Sequence, residues 1–157
     1  MIEKIEIGKL ELKLRQCEKH DIGFVYELMC SAIGDLFARY TQEGWSRKKF
    51  KTKFSPEKII IIEHENMPIG FLYFKKNENE IYWGGFYLSK DYREREIGTN
   101  VTEYFLNKFR EEGIRAIYCK IFKANKQSLS LVEKLGFFIE GEIPEESSYI
   151  VKRYLNE

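Results

Sequence analysis

The stretch Tyr92-Arg93-Glu94-Arg95-Glu96-Ile97-Gly98-Thr99 joins an aromatic, strand-like run to a long helical pattern, where an anion-binding turn would sit. Backbone N–H groups in the first turn of a helix have no carbonyl partner within that helix, so they can point at an anion placed before it. Arg95, Glu96, Ile97, Gly98 and Thr99 would supply these groups here. Gly98 removes a side chain where backbone and anion approach closely, and Thr99 adds a hydroxyl. Glu96 opposes this use, because its carboxylate stands among the donors. Two readings follow from the residues alone: a phosphate cradle, or a solvated charged turn that opens a helix.

Other reactive residue types are sparse. Cys17, Cys30 and Cys119 are odd in number and lack CxxC or Cys/His spacing, which argues against a disulfide framework and a zinc site and predicts no metal. Cys119, in a strand-like run without a nearby histidine, reads as a small buried hydrophobe. His20 and His64 are flanked by charge and read as exposed surface. No general base is legible: after Glu80 the run to Leu88 carries no carboxylate, and Glu27 and Glu43 are two acids that could reach a site from the helical side. The basic run from Arg47 to Lys53 reads first as a solvated helix face, and second as an attractor for an acidic acceptor or a phosphate.

The composition bounds what these residues serve. A chain of 157 residues, 43% hydrophobic and 15% aromatic, is long enough for one domain with a sizeable core, taken as residues 1–157. Lys and Arg number 26 against 25 Asp and Glu, so no global field draws the chain to nucleic acid or an acidic membrane, and binding must come from a local site. The start MIEKIEIGK lacks the apolar region of a signal peptide, and no run approaches the roughly 20 apolar residues of a membrane span. A cytoplasmic protein without a membrane partner is expected, with a homodimer allowed.

The elements that must position the candidate turn are readable from periodicity. Leu10, Leu12 and Leu14 alternate with charged residues as in a half-buried strand, and Asp21 stands as an N-cap before a helix bearing Ile22, Val25, Leu28 and Met29. A second helix follows Ser46, with Phe50 and Phe54 one turn apart on a narrow stripe. The runs KIIIIEHE, IGFLYFKK and EIYWGGFYL, separated by ENMP and NENE, read as three antiparallel strands. Ile97, Val101, Phe105 and Phe109 recur every fourth position up to Gly113, the mark of a helix. A strand over IRAIYCKIF, a helix ended by Gly136, and strands over FFIEGE and SYIVKRYL complete an order β-α-α-β-β-β-α-β-α-β-β, an α/β arrangement.

This order and two local patterns resemble the GNAT superfamily of acyl-CoA-dependent N-acyltransferases, over the chain from about Leu10 onward. One family pattern, Arg or Gln, two residues, Gly, one residue, then Gly or Ala, maps onto Arg93, Glu96 and Gly98. The other, an Asn after a strand, a Tyr seven residues on, then Lys and Gly-Phe, maps onto Asn125, Val132, Lys134, Gly136 and Phe137. Glu96 replaces a glycine, Lys90 a frequent proline and Val132 the tyrosine that often protonates the leaving thiolate.

The resemblance implies a mixed, mostly antiparallel central sheet flanked by helices, with acetyl-CoA as co-substrate and no metal. It implies that the backbone of Tyr87 and Leu88 pairs with the pantetheine arm, and that Asn125 bonds the arm from the other side. Arg93, Arg95, Glu96, Ile97, Gly98 and Thr99 would surround the pyrophosphate, with Lys134 completing the coenzyme set. A backbone N–H near Leu88 would stabilise the oxyanion, while water, Ser128 or Ser130 stands in for the missing tyrosine. Tyr40, Trp45, Trp83 and Phe86 would border the acceptor, a primary amine on a small molecule or protein, although core packing competes for at least two of them. The rival reading is a non-catalytic acyl-CoA-binding sensor or regulatory domain of the same fold. A nucleic-acid module using residues 47–53 comes third.

Overall fold

The alternating leucines form a strand with Leu12 and Leu14 buried and Glu11 in solvent, in a computed structural model that describes residues 2–93 and 96–155. In chain order the elements are β1 (Ile2–Ile7), β2 (Leu10–Gln16), α1 (Ile22–Met29), a π-helical turn (Cys30–Gly34), α2 (Asp35–Tyr40), α3 (Arg47–Lys53), β3 (Ile59–His64), β4 (Met67–Asn77), β5 (Glu80–Leu88), α4 (Ile97–Glu111), β6 (Ala116–Phe122), α5 (Lys126–Lys134), β7 (Phe138–Ile143) and β8 (Ser148–Tyr154). The strands hydrogen-bond in the order β1-β2-β3-β4-β5-β6-β8-β7. The β5–β6 pair is parallel, and β1–β2, β2–β3, β3–β4, β6–β8 and β7–β8 are antiparallel. This is an α/β fold with a mixed sheet flanked by helices. The chain forms two compact units, residues 1–73 with 85–98 and residues 74–84 with 99–157.

In the first unit, β1 is a strand that sequence reading did not find. Its isoleucines are interrupted by charges, yet Gly8 at φ +63 turns the chain so that Ile7 pairs with Leu10. In β3, Ile59, Ile60, Ile61 and Ile62 are all buried, which explains an apolar run without alternation. Glu65 and Asn66, at φ 51 and 65, make the tight turn that pairs His64 with Met67. The helix after Asp21 continues past Met29 through the π-helical turn into α2. That turn breaks the 3.6-residue period, so α2 was not legible as a continuation.

Asp21 does not cap α1 through its side chain as expected. Its carboxylate accepts two hydrogen bonds of 2.9 Å from the Arg15 guanidinium and one of 2.8 Å from the Glu18 N–H. Arg15 Nε also donates to Glu63 Oε2 at 2.8 Å, so one guanidinium ties β2, β3 and the entry to α1 together. Hydrogen bonding to Arg15 holds the Asp21 carboxyl below the usual carboxylate range. Cys17, Val25, Leu28, Ile59, Ile61 and Phe71 form a core cluster of this unit, with Phe50 of α3 and Phe54 just after it packed against it. Helix α3 starts at Ser46, whose hydroxyl accepts from the Lys49 N–H at 3.1 Å. Its cations face outward: Arg47 pairs with Glu27 and Lys53 with Glu43.

In the second unit, β6 pairs with β8 from Ala116↔Tyr154 to Phe122↔Ser148. Val101, Phe105 and Phe109 of α4 are buried as their spacing predicts, and Gly113 at φ +81 ends the helix. Phe74, Trp83, Phe105 and Phe109 form one aromatic cluster with centroid separations from 5.1 to 6.5 Å. Cys119 is buried, which pushes its thiol up to about 12 and fits its reading as core. Among the described residues, no helix is long and apolar enough to cross a membrane.

Asp21→Asn should lower stability by about 2 kcal/mol at pH 7, since it leaves the half-buried Arg15 without the carboxylate that takes two of its hydrogen bonds, and urea unfolding measures this. Because the native carboxyl titrates below the unfolded value of about 3.9, its stabilisation is complete above that value and lost as pH falls through the native one. The gap between parent and variant should therefore close in acid. Equal midpoints at neutral pH would show that the ion pair contributes nothing.

Candidate functional site

In the first unit the expected coenzyme residues cluster at the end of β5. The Ser89 N–H donates to the Ile69 carbonyl of β4 at 2.8 Å. Successive N–H groups of an extended strand point to opposite edges, so the Leu88 N–H points away from β4. This is the direction an oxyanion donor requires if the acyl group lies beside β5. The Leu88 carbonyl accepts a 2.9 Å hydrogen bond from Arg93 Nε. Arg93 thus grips the strand end rather than projecting as an unattached cation, and the Leu88 carbonyl already has one partner. The Tyr87 ring packs on Phe71 at 5.1 Å and folds over Gly85, where a Cβ would meet ring carbon Cε2 at 2.5 Å.

Gly70 of β4 sets how closely this strand end is approached. A Cβ there would sit 2.5 Å from the Tyr87 carbonyl oxygen and 2.8 Å from Leu88 Cδ2, so only glycine fits. Beyond Leu88 the chain makes a short 3₁₀ turn over Lys90–Tyr92, with Tyr92 N–H donating to Ser89 O at 2.9 Å. Tyr92 Oη meets His64 Nδ1 at 2.8 Å, and the two rings pack edge to face. His64 is therefore not a surface histidine: its side chain is 18% exposed, while that of His20 is 70% exposed as expected. Neither Gly70 nor His64 was identified from sequence as part of the turn. The signal for Gly70 was a glycine inside a strand pattern; for His64 there was none, because its partner lies 28 residues away.

Glu96 lies at φ +60, the left-handed region, immediately before the first residue of α4. A glycine at this place in the family pattern would carry no penalty, whereas a residue with a Cβ costs about 1–2 kcal/mol there. Ile97 is 1% exposed and pins the helix start. A Cβ on Gly98 would meet only the Phe86 ring, at an ordinary 3.7 Å. Protein packing therefore does not demand glycine at 98. Arg95 falls outside the described residues.

In the second unit, Thr99 is half-buried in the first turn of α4. Asn125 is the N-cap of α5, its Oδ1 accepting from the Ser128 N–H at 3.2 Å. That leaves its amide Nδ2 as the group able to donate to a ligand. Ser128 and Val132 are half-buried on α5, and Ser130 is exposed. Lys134 lies in the last turn of α5, about 13 Å along the helix from Asn125 at 1.5 Å per residue. It lines a separate cleft.

The aromatic residues expected near an acceptor divide by role. Trp83 is 8% exposed within the Phe74, Phe105 and Phe109 cluster, the core packing that competes with an acceptor role for these aromatics. Phe86 faces Gly98. Trp45 stacks on Tyr26 at 5.4 Å and touches Phe37 and Phe50, with its indole Nε1 buried without a partner among the described residues. Tyr40 is half-buried at the end of α2. Glu27 and Glu43 sit in exposed ion pairs with Arg47 and Lys53. Among the described residues no group of three or more His, Cys, Asp or Glu could hold a metal.

The model of the Acetyltransferase (GNAT) family matches residues 30–137, more than half of the chain. The chain belongs to the GNAT acetyltransferase family, the class of acetyl-CoA-dependent N-acetyltransferases. Solved structures agree on the fold. A GNAT-family acetyltransferase from Bacillus anthracis superposes with a TM-score of 0.72 at 21% identity, over 100% of both chains. PaiA N-acetyltransferase from Thermoplasma acidophilum, solved with coenzyme A, gives 0.70 at 18% identity over 91% of this chain and 98% of its own. YncA of Salmonella typhimurium, a protein solved with acetyl-CoA, gives 0.69 at 14% identity over 93% and 95%. No protein of curated function matches the sequence.

The strain at Glu96 makes a direct test of the turn. Glu96→Gly should be more stable than Glu96→Ala by about 1 kcal/mol, because both remove the carboxylate but only glycine accepts φ +60 without a penalty. The extra freedom of glycine in the unfolded chain offsets part of the gain. Equal urea midpoints for the two variants would contradict a left-handed residue 96.

Proposed function

We propose that the protein transfers an acetyl group from acetyl-CoA to a primary amine of a small molecule or protein, by direct attack of the amine on the thioester. The observation that carries this reading is the turn from Leu88 to Gly98, closed on itself by Arg93 and bent at Glu96 so that α4 opens with Ile97, Gly98 and Thr99. The first-turn N–H groups of α4 take the pyrophosphate. The Asn125 amide nitrogen donates to the pantetheine arm, and the Leu88 N–H donates to the thioester oxygen as it gains charge. Structural neighbours solved with coenzyme A or acetyl-CoA support this use of the fold.

In the reaction the amine nitrogen forms a bond to the carbonyl carbon, the carbon–sulfur bond breaks, and coenzyme A leaves as thiolate. The nitrogen releases its proton to water. With Val132 where a phenol would stand, the thiolate leaves without a side-chain acid. A thiol of pKa about 8.5 makes that departure cost roughly 2 kcal/mol at neutral pH. General acid help is worth about 10²- to 10⁴-fold, against effective molarities of about 10⁵ to 10⁸ M from alignment, so positioning dominates. Tyr40, Trp45 and Phe86 remain the aromatic residues assigned to the acceptor side.

Thiol release from acetyl-CoA over a panel of amines tests the reading. Turnover on at least one amine is expected; absence of binding at millimolar acetyl-CoA would overturn it, and binding without turnover on any amine would favour the coenzyme-binding sensor. Glu96→Gly should tighten acetyl-CoA binding by about three- to a hundredfold, since it relieves strain and removes a carboxylate near the pyrophosphate. Unchanged affinity at low salt would place the pyrophosphate elsewhere. Asn125→Ser should keep the helix cap and leave stability within about 0.5 kcal/mol, yet weaken acetyl-CoA binding by about 1–3 kcal/mol through loss of the amide donor. Titration calorimetry beside urea unfolding separates those two effects.

A further inference from the structure

The second unit holds a cleft of about 550 Å³ lined by Glu103 and Arg110 of α4, Lys134 to Gly136 at the end of α5, Phe138 of β7, and Arg153 to Leu155 at the end of β8. It lies at the opposite end of this unit from Asn125. Tyr154 pairs with Ala116, the first residue of β6, whereas Asn125 follows Phe122, the last. Those seven strand residues span about 20 Å at 3.3 Å each.

The lining has the complement of groups that a nucleotide needs. Arg153 Nη1 donates to the Leu135 carbonyl at 2.6 Å, and Arg110 donates from Nε to Leu155 O at 3.0 Å and from Nη1 to Asn107 Oδ1 at 2.7 Å. Each guanidinium is thus fixed by its neighbours while keeping further N–H donors. Lys134 and Glu103 have no partner among the described residues. Three cations and one carboxylate give a formal +2; the carbonyl ends of α4 and α5, about −0.5 each, reduce this to about +1. Phe138 is 44% exposed and stacks on Tyr154 at 6.0 Å, which offers a flat apolar wall. The volume falls within the roughly 300–1,000 Å³ of small-molecule sites.

We propose that this cleft binds a nucleoside monophosphate, with Lys134, Arg110 and Arg153 on the phosphate, Glu103 accepting from sugar hydroxyls and Phe138 stacking on the base. The site is independent of the acetyl-transfer reading, and Lys134 belongs to it rather than to the pyrophosphate turn. Bidentate guanidinium contact suits a phosphate, and an aromatic wall tolerates any base.

Titration of the full chain with AMP, inorganic phosphate and adenosine, followed by backbone amide NMR and calorimetry, tests this. AMP should bind at least about tenfold more tightly than phosphate or adenosine alone, and shift amides of residues 134–138 and 153–155. Lys134→Glu should weaken AMP by about tenfold or more. Absence of shifts at millimolar AMP would overturn the proposal. So would shifts centred on residues 96–99 and 125–128, or full affinity in Lys134→Glu. The shift map decides even if coenzyme A itself does not bind.

Discussion

A residue with a side chain is held in left-handed backbone at position 96, and the start of α4 depends on it. That conformation costs about 1–2 kcal/mol, so neighbouring contacts must hold the turn in place. Arg93 bonded to Leu88 O, Tyr92 bonded to His64 and Ile97 buried at 1% exposure do so from three sides. The result is a helix whose unpaired N–H groups begin within a few residues of a strand end whose Leu88 N–H points away from β4. In the function we propose, both features would serve one extended anionic thioester.

The proposed acetyl transfer proceeds without the usual tyrosine because it draws on this fixed turn. The buried carboxylates Asp21 and Glu63 are both committed to Arg15, Glu27 and Glu43 are paired in solvent, and Cys17 and Cys119 are thiols pushed up to about 12, too weakly ionised to act. What the fold offers is fixed backbone geometry. Gly70 allows β4 to lie against Tyr87 and Leu88, and the ring of Tyr87 is folded back over Gly85. In the reaction we propose, alignment of amine and thioester is then the principal catalytic resource.

Most of the fold was legible because its signals are local. Period-two leucines, fourfold spacing from Ile97 to Phe109, and Gly113 and Gly136 at helix ends all report on their own neighbourhoods. What was missed depends on distant partners or broken periodicity. The π-helical turn hid α2, charges hid β1, and Asp21 answered to Arg15 across a strand instead of capping its helix. Within the site, the glutamate-for-glycine exchange was visible and its positive φ could be anticipated from the pattern. The grip of Arg93 on Leu88, the role of His64, the burial of Trp83 and the placement of Lys134 in another cleft needed coordinates.

The most direct measurement is backbone amide NMR of the protein titrated with acetyl-CoA. Pyrophosphate seated on the start of α4 should shift the Ile97, Gly98 and Thr99 amides strongly downfield, together with Leu88, as their N–H groups acquire an anionic or carbonyl acceptor. Saturable binding that leaves these four amides unmoved would contradict the turn as the coenzyme cradle.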